Sequence, residues 1–377
     1  MNNILITGGS GFIGSNLALK LIDRGYCVTV LDNLLPQIHG NNPSETSTLY
    51  RSIKDKVKFI HGDVTIKDDL LLALKDQQIV IHFAAETGTG QSMYEIERYT
   101  NVNIQGTAIL LDILTNEKNE VKKVLIASSR AVYGEGKYLS KNYGIVYPNH
   151  RKEVDMNKGD FEVKYCDSEE LTLLATDENS KIHPSSVYGI TKQVQEQLIM
   201  TVCPTINIAS VSLRYQNVYG AGQSLSNPYT GILSIFSTRI RNRLSINIFE
   251  DGFESRDFIY IDDVVNATIL AIESEEANNQ IFNVGTGVAT SVNQVVNTLI
   301  EEFGIQTKVT ISGNYRLGDI RHNYADISKI QSTLGFKPVF DFKNGCHQFV
   351  NWVKMQADIN DKYEESIQEM KQKGLMK

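Results

Sequence analysis

The stretch from Ile4 to Gly14, ILITGGSGFIG, limits what this chain can fold into more than any other. A short apolar, strand-like run enters a turn that carries Gly8, Gly11 and Gly14, and an amphipathic helical pattern opens immediately after it. In such a turn one glycine allows the bend, one lets the backbone approach a pyrophosphate, and one lets helix and strand pack closely. The N-terminus of the following helix offers unpaired N–H groups and partial positive charge to phosphates. Gly8, Gly11, Phe12, Ile13 and Gly14 are therefore candidate cofactor contacts. A dinucleotide fingerprint expects an acid about 20 residues further on. Asp32 stands there, closing the strand-like run Cys27–Asp32. A carboxylate at that place accepts hydrogen bonds from the adenosine ribose and repels a 2′-phosphate, favouring NAD over NADP. An ordinary strand–turn–helix with a flexible turn is the plainer alternative, and the motif's spacing argues against it.

With 377 residues there is room for two domains, or for one with an elaborated lobe. The composition, 41% hydrophobic and 21% charged without a biased tract, is that of a soluble globular protein. A net charge of −7 argues against nucleic acid or an anionic membrane as the main partner. No apolar run is long enough to span a bilayer, and a strand starting at residue 3 or 4 leaves no room for a signal peptide. Cys27, Cys166, Cys203 and Cys346 are scattered without paired spacing. They read as unlinked thiols of a cytoplasmic protein, with neither a disulfide framework nor a metal site.

Strand-like runs at Lys56–His61, Ile79–Ala84, Val121–Ser128 and Ile206–Arg214 alternate with helical patterns near 68–74, 97–115 and 187–202. That alternation predicts parallel crossovers and an α/β, Rossmann-type doubly wound sheet over residues 1–214. From Tyr215 the loops lengthen, and 215–257 with 288–355 read as a smaller lobe for substrate. Phe258–Val265 and Ile281–Thr286 are expected to return to the main sheet, interleaving the boundary across about 258–287. A long polar insertion, about 135–181, reads as a flap or partner surface. The charge-rich segment 356–377 reads as a solvated surface helix or frayed tail.

Tyr188 and Lys192 are four apart on a predicted helix and share one face. Ser129 ends the fifth strand, at the edge where open α/β sheets place their ligands. Beside a nicotinamide, these three make an acid–base device. The lysine ammonium and the oxidised ring both favour the phenolate, lowering the tyrosine pKa from about 10 toward the working pH. Ser129 would orient the reacting oxygen. Alone, a tyrosine and lysine four apart are a common solvated pair; after a dinucleotide fingerprint they read as catalytic.

Residues 7–14 (TGGSGFIG), Asp32 with Asn33, Gly62-Asp63-Val64, His82 to Ala85, Asn103, Ser128 with Ser129, and Tyr188 with Lys192 carry a family resemblance. So do Arg214 to Asn217, Ser255 to Phe258, and Arg316 to Asp319. The chain resembles the extended short-chain dehydrogenase/reductases that act on nucleotide-diphosphate sugars. The resemblance implies NAD as cofactor, with Asn33, Asp63, Val64, Ala84, Ala85 and Asn103 around it. It also implies Thr87, Arg130, Asn217, Arg256 and Arg316 around the substrate, arginine being suited to forked contacts with phosphate. A core polar role for Asn103, and surface salt bridges for the two later arginines, are the alternatives. Homodimerisation through the 97–115 and 187–202 helices is implied by the resemblance alone.

Members that eliminate water place Asp-Glu after the hydroxyl residue, and decarboxylating members keep a Glu two residues after the serine. This chain has Arg130 and Ala131 there, so elimination lacks its second carboxylate. Inversion at sugar C4 through a transient 4-keto sugar is the expected reaction. Residues 32–40, 86–95 and 186–192 are similar to the dTDP-L-rhamnose 4-epimerase group in particular. Paired cysteines often found in that group's insertion are missing here, where only Cys166 stands, so no metal is carried over. A UDP-hexose or UDP-N-acetylhexosamine 4-epimerase, a 4-ketosugar reductase and a non-catalytic NAD-binding protein remain the competing readings.

Overall fold

The computed structural model describes residues 2–166, 171–227, 229, 231–357 and 361–377. Residues 167–170 of the expected insertion and 358–360 of the expected tail lie outside the described residues. Seven strands form the central sheet: Asn3–Thr7, Cys27–Asp32, Lys58–His61, Ile79–His82, Lys123–Ser129, Ala209–Tyr215 and Gln280–Val284. Numbered in chain order they run 3-2-1-4-5-6-7 across the sheet, and every pairing is parallel. Ile4, Leu5, Ile6, Val80, Ile81, Val124, Leu125 and Ile126 are fully buried. Unbroken apolar runs of this kind suit strands covered by helices on both faces. The strand order reverses between the first and fourth strands. The crevice at their C-terminal ends is where a Rossmann-type α/β fold takes its ligand.

Local sequence explains how the site's helices are placed. In Phe12–Asp23, Leu17, Ala18 and Leu21 recur at helical spacing and are buried against the sheet. Val187–Thr205 is capped by the Ser186 hydroxyl, which accepts from the Gly189 N–H at 3.1 Å. A Cβ on Gly189 would sit 2.6 Å from the Ala131 carbonyl oxygen. Glycine there lets the helix lie close to the end of the fifth strand, and so brings Tyr188 to Ser129. The predicted 97–115 helix is interrupted: Ile96–Tyr99 and Gly106–Asn116 flank a π-helical turn, Thr100–Gln105. Asn103, in that turn, is fully buried.

Gln280–Val284 does join the main sheet, but Phe258–Tyr260 does not. It pairs with Asn217–Tyr219 in a separate two-stranded sheet, because helix Ile261–Glu273 begins right after it and packs on Phe12–Asp23. Further small sheets join Ile246–Ile248 to Val309–Ile311, and Ser255–Arg256 to Thr290–Ser291 and His322–Asn323. One apolar cluster runs from Ile4 and Leu17 through Tyr219 and Phe258 to Phe349, so sheet and lobe share a core. The described part of the insertion is folded: Lys137–Ser140 pairs with Gly144–Val146 and Thr172–Leu174 over a cluster of Tyr138, Val146 and Val163. The tail is a surface helix with its charged side exposed, but it is docked on one face. Tyr363, Ile367 and Met370, spaced along one face of helix Tyr363–Gln372, are buried against Ile235 and Phe249. Among the described residues no helix is long and apolar enough to cross a membrane.

Candidate active site

A cavity of about 840 Å³ opens at the C-terminal ends of the sheet strands and extends into the lobe. One wall is the glycine-rich turn. Gly8 holds φ at +68°, and a Cβ on it would meet the Ala84 nitrogen at 2.7 Å; one on Gly14 would meet the Gly8 oxygen at 2.6 Å. Helix Phe12–Asp23 has no side-chain cap, so its first N–H groups have no side-chain acceptor at the cavity wall. Gly11, Phe12 and Ile13 line the same wall.

Asp32 accepts from the Ser10 N–H at 2.8 Å and the Leu34 N–H at 2.9 Å, one on each oxygen. Each oxygen keeps a lone pair for a ribose hydroxyl. His39, which the motif reading passes over, is buried 3.9 Å from Asp32 and hydrogen-bonded to the Ser47 hydroxyl. Burial lowers its pKa against the pull of Asp32, so a largely neutral ring faces the carboxylate at neutral pH. Asp63 accepts from Asn33 at 2.8 Å and from the Thr65 N–H and hydroxyl. Burial raises its pKa, but these hydrogen bonds outweigh it and hold the carboxyl below its ordinary value. Val64, Ala84, Ala85 and Thr87 complete this half.

Asn103 does not line the cavity. Its Oδ1 accepts from the Glu86 N–H at 2.8 Å, and its Nδ2 donates to the Glu86 carbonyl and to Thr191 Oγ1 at 2.9 Å. It ties the loop after the fourth strand to the helix bearing Tyr188, a positioning role and not a direct contact.

Do these residues fit NAD? Ser128 Oγ and both amide atoms of Gln216 are buried without a hydrogen-bond partner in the protein, and both residues line the cavity. Buried polar groups are normally satisfied. Together with the glycine cradle and the lone pairs left on Asp32, they fit a dinucleotide.

Ser129, Tyr188 and Lys192 line the same cavity. Burial holds the Tyr188 phenol above its ordinary pKa, and a hydrogen bond from Ser129 and the charge of Arg130 offset only part of this. Lys192 Nζ donates to the Ala127 carbonyl at 3.0 Å, and burial pushes its pKa down to about 7. Arg130 is a cation favouring the phenolate that the sequence reading, with Lys192 and the oxidised ring, did not include. Ser92 Oγ accepts from the Tyr188 N–H at 3.1 Å and fixes the start of the helix. Behind the site, His82 is fully buried between Thr7 Oγ1 at 2.8 Å and Thr107 Oγ1 at 3.0 Å. Burial and the nearby Lys192 hold it neutral, with a pKa of about 3.

Arg130 and Asn217 line the cavity and bond to each other, Arg130 Nε donating at 3.0 Å. Arg256 and Arg316 do not line it. Arg256 donates to the carbonyls of Ser255, Ile320 and Arg321, and Arg316 pairs with Asp319 at 2.7 Å. Asp319 joins the group: burial raises its pKa, but the charges of Arg316, Arg256 and Arg130 overcome this and hold it low. The sequence reading missed Gln216, Ser92, Thr191 and His39. All four sit inside quoted stretches: His39 in 32–40, Ser92 in 86–95, Thr191 between Tyr188 and Lys192, and Gln216 before Asn217.

Residues 4–151 and 165–285 match the NAD dependent epimerase/dehydratase family. The chain is 36% identical over 358 residues to a dTDP-L-rhamnose 4-epimerase of Burkholderia thailandensis, covering 94% of this chain and 96% of the relative. A putative UDP-glucose 4-epimerase of Methanocaldococcus jannaschii is 34% identical, covering 93% and 98%. Among solved structures, UDP-glucuronic acid 4-epimerase from Bacillus cereus, in complex with UDP-glucuronic acid and NAD, superposes with a TM-score of 0.76 at 25% identity. That match covers 93% of this chain and 99% of the other. With its glycine cradle, its acid at the ribose position and this match over most of its length, the chain belongs to the NAD dependent epimerase/dehydratase family.

Proposed function

We propose that the enzyme, an NAD-dependent nucleotide-sugar 4-epimerase, interconverts dTDP-L-rhamnose and dTDP-6-deoxy-L-talose. Support for the reaction comes from one observation above all: Tyr188 shares a cavity with the glycine cradle, and among the described residues the acids lining that cavity, Asp32, Asp63 and Glu86, all have partners. Arg98 holds Glu86 in an ion pair at 2.7 Å. Support for the sugar comes from the rhamnose-epimerase relative and the similarity of residues 32–40, 86–95 and 186–192 to that group.

Bound NAD supplies the hydride acceptor and donor for sugar C4, held by Gly8, Gly11, Gly14, Asp32 and the Gln216–Ser128 wall. Tyr188 takes the C4 hydroxyl proton while Ser129 orients that oxygen, and the phenol returns the proton after inversion. The charge of Arg130 favours the phenolate against the cost of burial. Arg130 and Asn217, with Arg256 and Arg316 behind them, anchor the diphosphate while the 4-keto sugar turns. A homodimer formed through the 97–115 and 187–202 helices is part of the proposal, and exposed Ile190 would lie on that face.

The test is incubation of purified protein with dTDP-L-rhamnose and with UDP-glucose, UDP-glucuronic acid and UDP-N-acetylglucosamine, with products resolved by NMR. A new axial–equatorial pair at C4 of the rhamnosyl sugar is the expected result. Turnover confined to a UDP-sugar rejects the sugar assignment, and release of water or carbon dioxide rejects the reaction.

A further inference from the structure

Segment 361–377 touches two different loops of the sugar end. Its helix, Tyr363–Gln372, is seated on the lobe through Tyr363, Ile367 and Met370, and Arg239 grips its start through Asp361 at 3.0 Å. Beyond the helix the backbone adds an antiparallel pairing to residues 315–317. Tyr315 and Lys377 exchange N–H···O bonds of 3.0 and 3.1 Å, and the Leu317 N–H donates to the Leu375 carbonyl at 2.9 Å. Arg316 lies at the centre of that pairing. On another face of the same helix, Glu369 accepts a hydrogen bond from the Tyr229 hydroxyl, which in turn accepts one from Tyr94 at 3.0 Å. The Lys373 ammonium stands 5.6 Å from the Tyr94 ring centre.

Tyr229 lines the cavity and rests on Gly88: a Cβ there would lie 3.5 Å from its carbonyl oxygen and 3.9 Å from its own Cβ. Gly88 also lines the cavity, and Ser92 on the same loop caps Tyr188. The phenol of Tyr229 has one proton to donate, and Glu369 takes it. A carboxylate acceptor makes this a charge-assisted bond, stronger than one between neutral groups. We propose that segment 361–377 is a strap that sets the shape of the sugar end of the cavity. Glu369 is its positioning residue, acting through Tyr229 on the Gly88 loop, while the 375–377 strand holds Arg316 in place. The second half of this inference rests on the reading that Arg316 supports the diphosphate anchor from behind the cavity wall; the first does not.

The test compares the full chain with Glu369→Gln, Tyr229→Phe, the double variant, and a chain shortened after Ala357. Glu365→Gln, an exposed acid on the same helix, is the control. KM and kcat are read on whichever nucleotide sugar the full chain epimerises, beside retained NAD and melting temperature. Glu369→Gln is expected to raise KM about tenfold, as loss of one charge-assisted hydrogen bond would, with retained NAD unchanged. Tyr229→Phe should do the same, the double variant should be no worse than either, and the shortened chain should also lose affinity for the free nucleoside diphosphate. An unchanged KM in Glu369→Gln overturns the strap, as does a rise matched by an equal loss of NAD. Activity on a UDP-sugar in place of dTDP-L-rhamnose would reject the sugar assigned above but leave this comparison intact, because each KM is a ratio to the full chain's own.

Discussion

The coenzyme end and the sugar end of one cavity are built by different physics. The coenzyme end is mostly backbone: a turn in which Gly8 and Gly14 admit no Cβ, a helix start without a side-chain cap, and an acid, Asp32, that accepts from two main-chain N–H groups. The sugar end is mostly side chains that hold one another: Arg130 on Asn217, Arg316 on Asp319, Tyr229 on Glu369. A phosphate group common to every dinucleotide suits a rigid backbone cradle, which cannot easily be retuned. A sugar that differs among relatives suits a lattice of side chains, where one substitution changes the shape. Tyr188 stands where the two meet, and the sharpest way to break the comparison is to remove its hydroxyl. Tyr188→Phe is expected to lower epimerisation by about a thousandfold, the scale of a lost general base. NAD retained through purification should be unchanged. If NAD is lost along with activity, the two ends are not separable.

The backbone end is tested next. Gly8→Ala puts a Cβ 2.7 Å from the Ala84 nitrogen in a residue whose φ is +68°. Strain of this kind costs about 1–3 kcal/mol. The expected outcome is a lower melting temperature with most of the bound NAD lost, read by absorbance of the released coenzyme. Retention of full NAD would show that the turn is not the cradle.

The two ends also differ in how much of them could be read before folding. Backbone recognition uses contiguous residues, so the turn at 7–14 and Asp32 announce themselves by spacing. Tyr188 and Lys192 do so as well, since four residues on a helix fix a common face. Arg316 and its partner Asp319 are three apart and stand in one quoted motif, but the surroundings of Arg256 were hidden: the carbonyls at 320 and 321 reach it only through the lobe's fold. Tyr229 and Glu369 are 140 residues apart, and no local pattern links them. For Asn103 the sequence left a place beside NAD and a core polar role both open, and the partners it bonds, Glu86 and Thr191, are 17 and 88 residues away. The charge-rich tail hid its docked side. Its apolar residues, Tyr363, Ile367 and Met370, are few, yet they share one face.

The smallest expected effect asks whether the side-chain end tunes the chemistry as well as holding the sugar. Burial raises the Tyr188 phenol, while Ser129 and Arg130 lower it. Activity requires the phenol to give up its proton, so the rate should rise with pH through the phenol's apparent pKa in the loaded enzyme. Arg130 favours the negatively charged form; replacing it by methionine removes that cation, raises the tyrosine pKa and moves the rising limb to higher pH. The shift should be less than about one pH unit, because the residue acts by charge alone while the Ser129 hydrogen bond stays. Arg130 also donates to Asn217, so KM should rise too; Asn217→Ala should reproduce that rise without moving the limb. Profiles of kcat against pH for the two variants separate the roles. A limb that stays fixed in Arg130→Met would mean that the phenolate draws its stabilisation from elsewhere, Lys192 being the nearest remaining cation on the cavity wall. The two ends would then differ in architecture alone, with proton affinity set wholly on the coenzyme side.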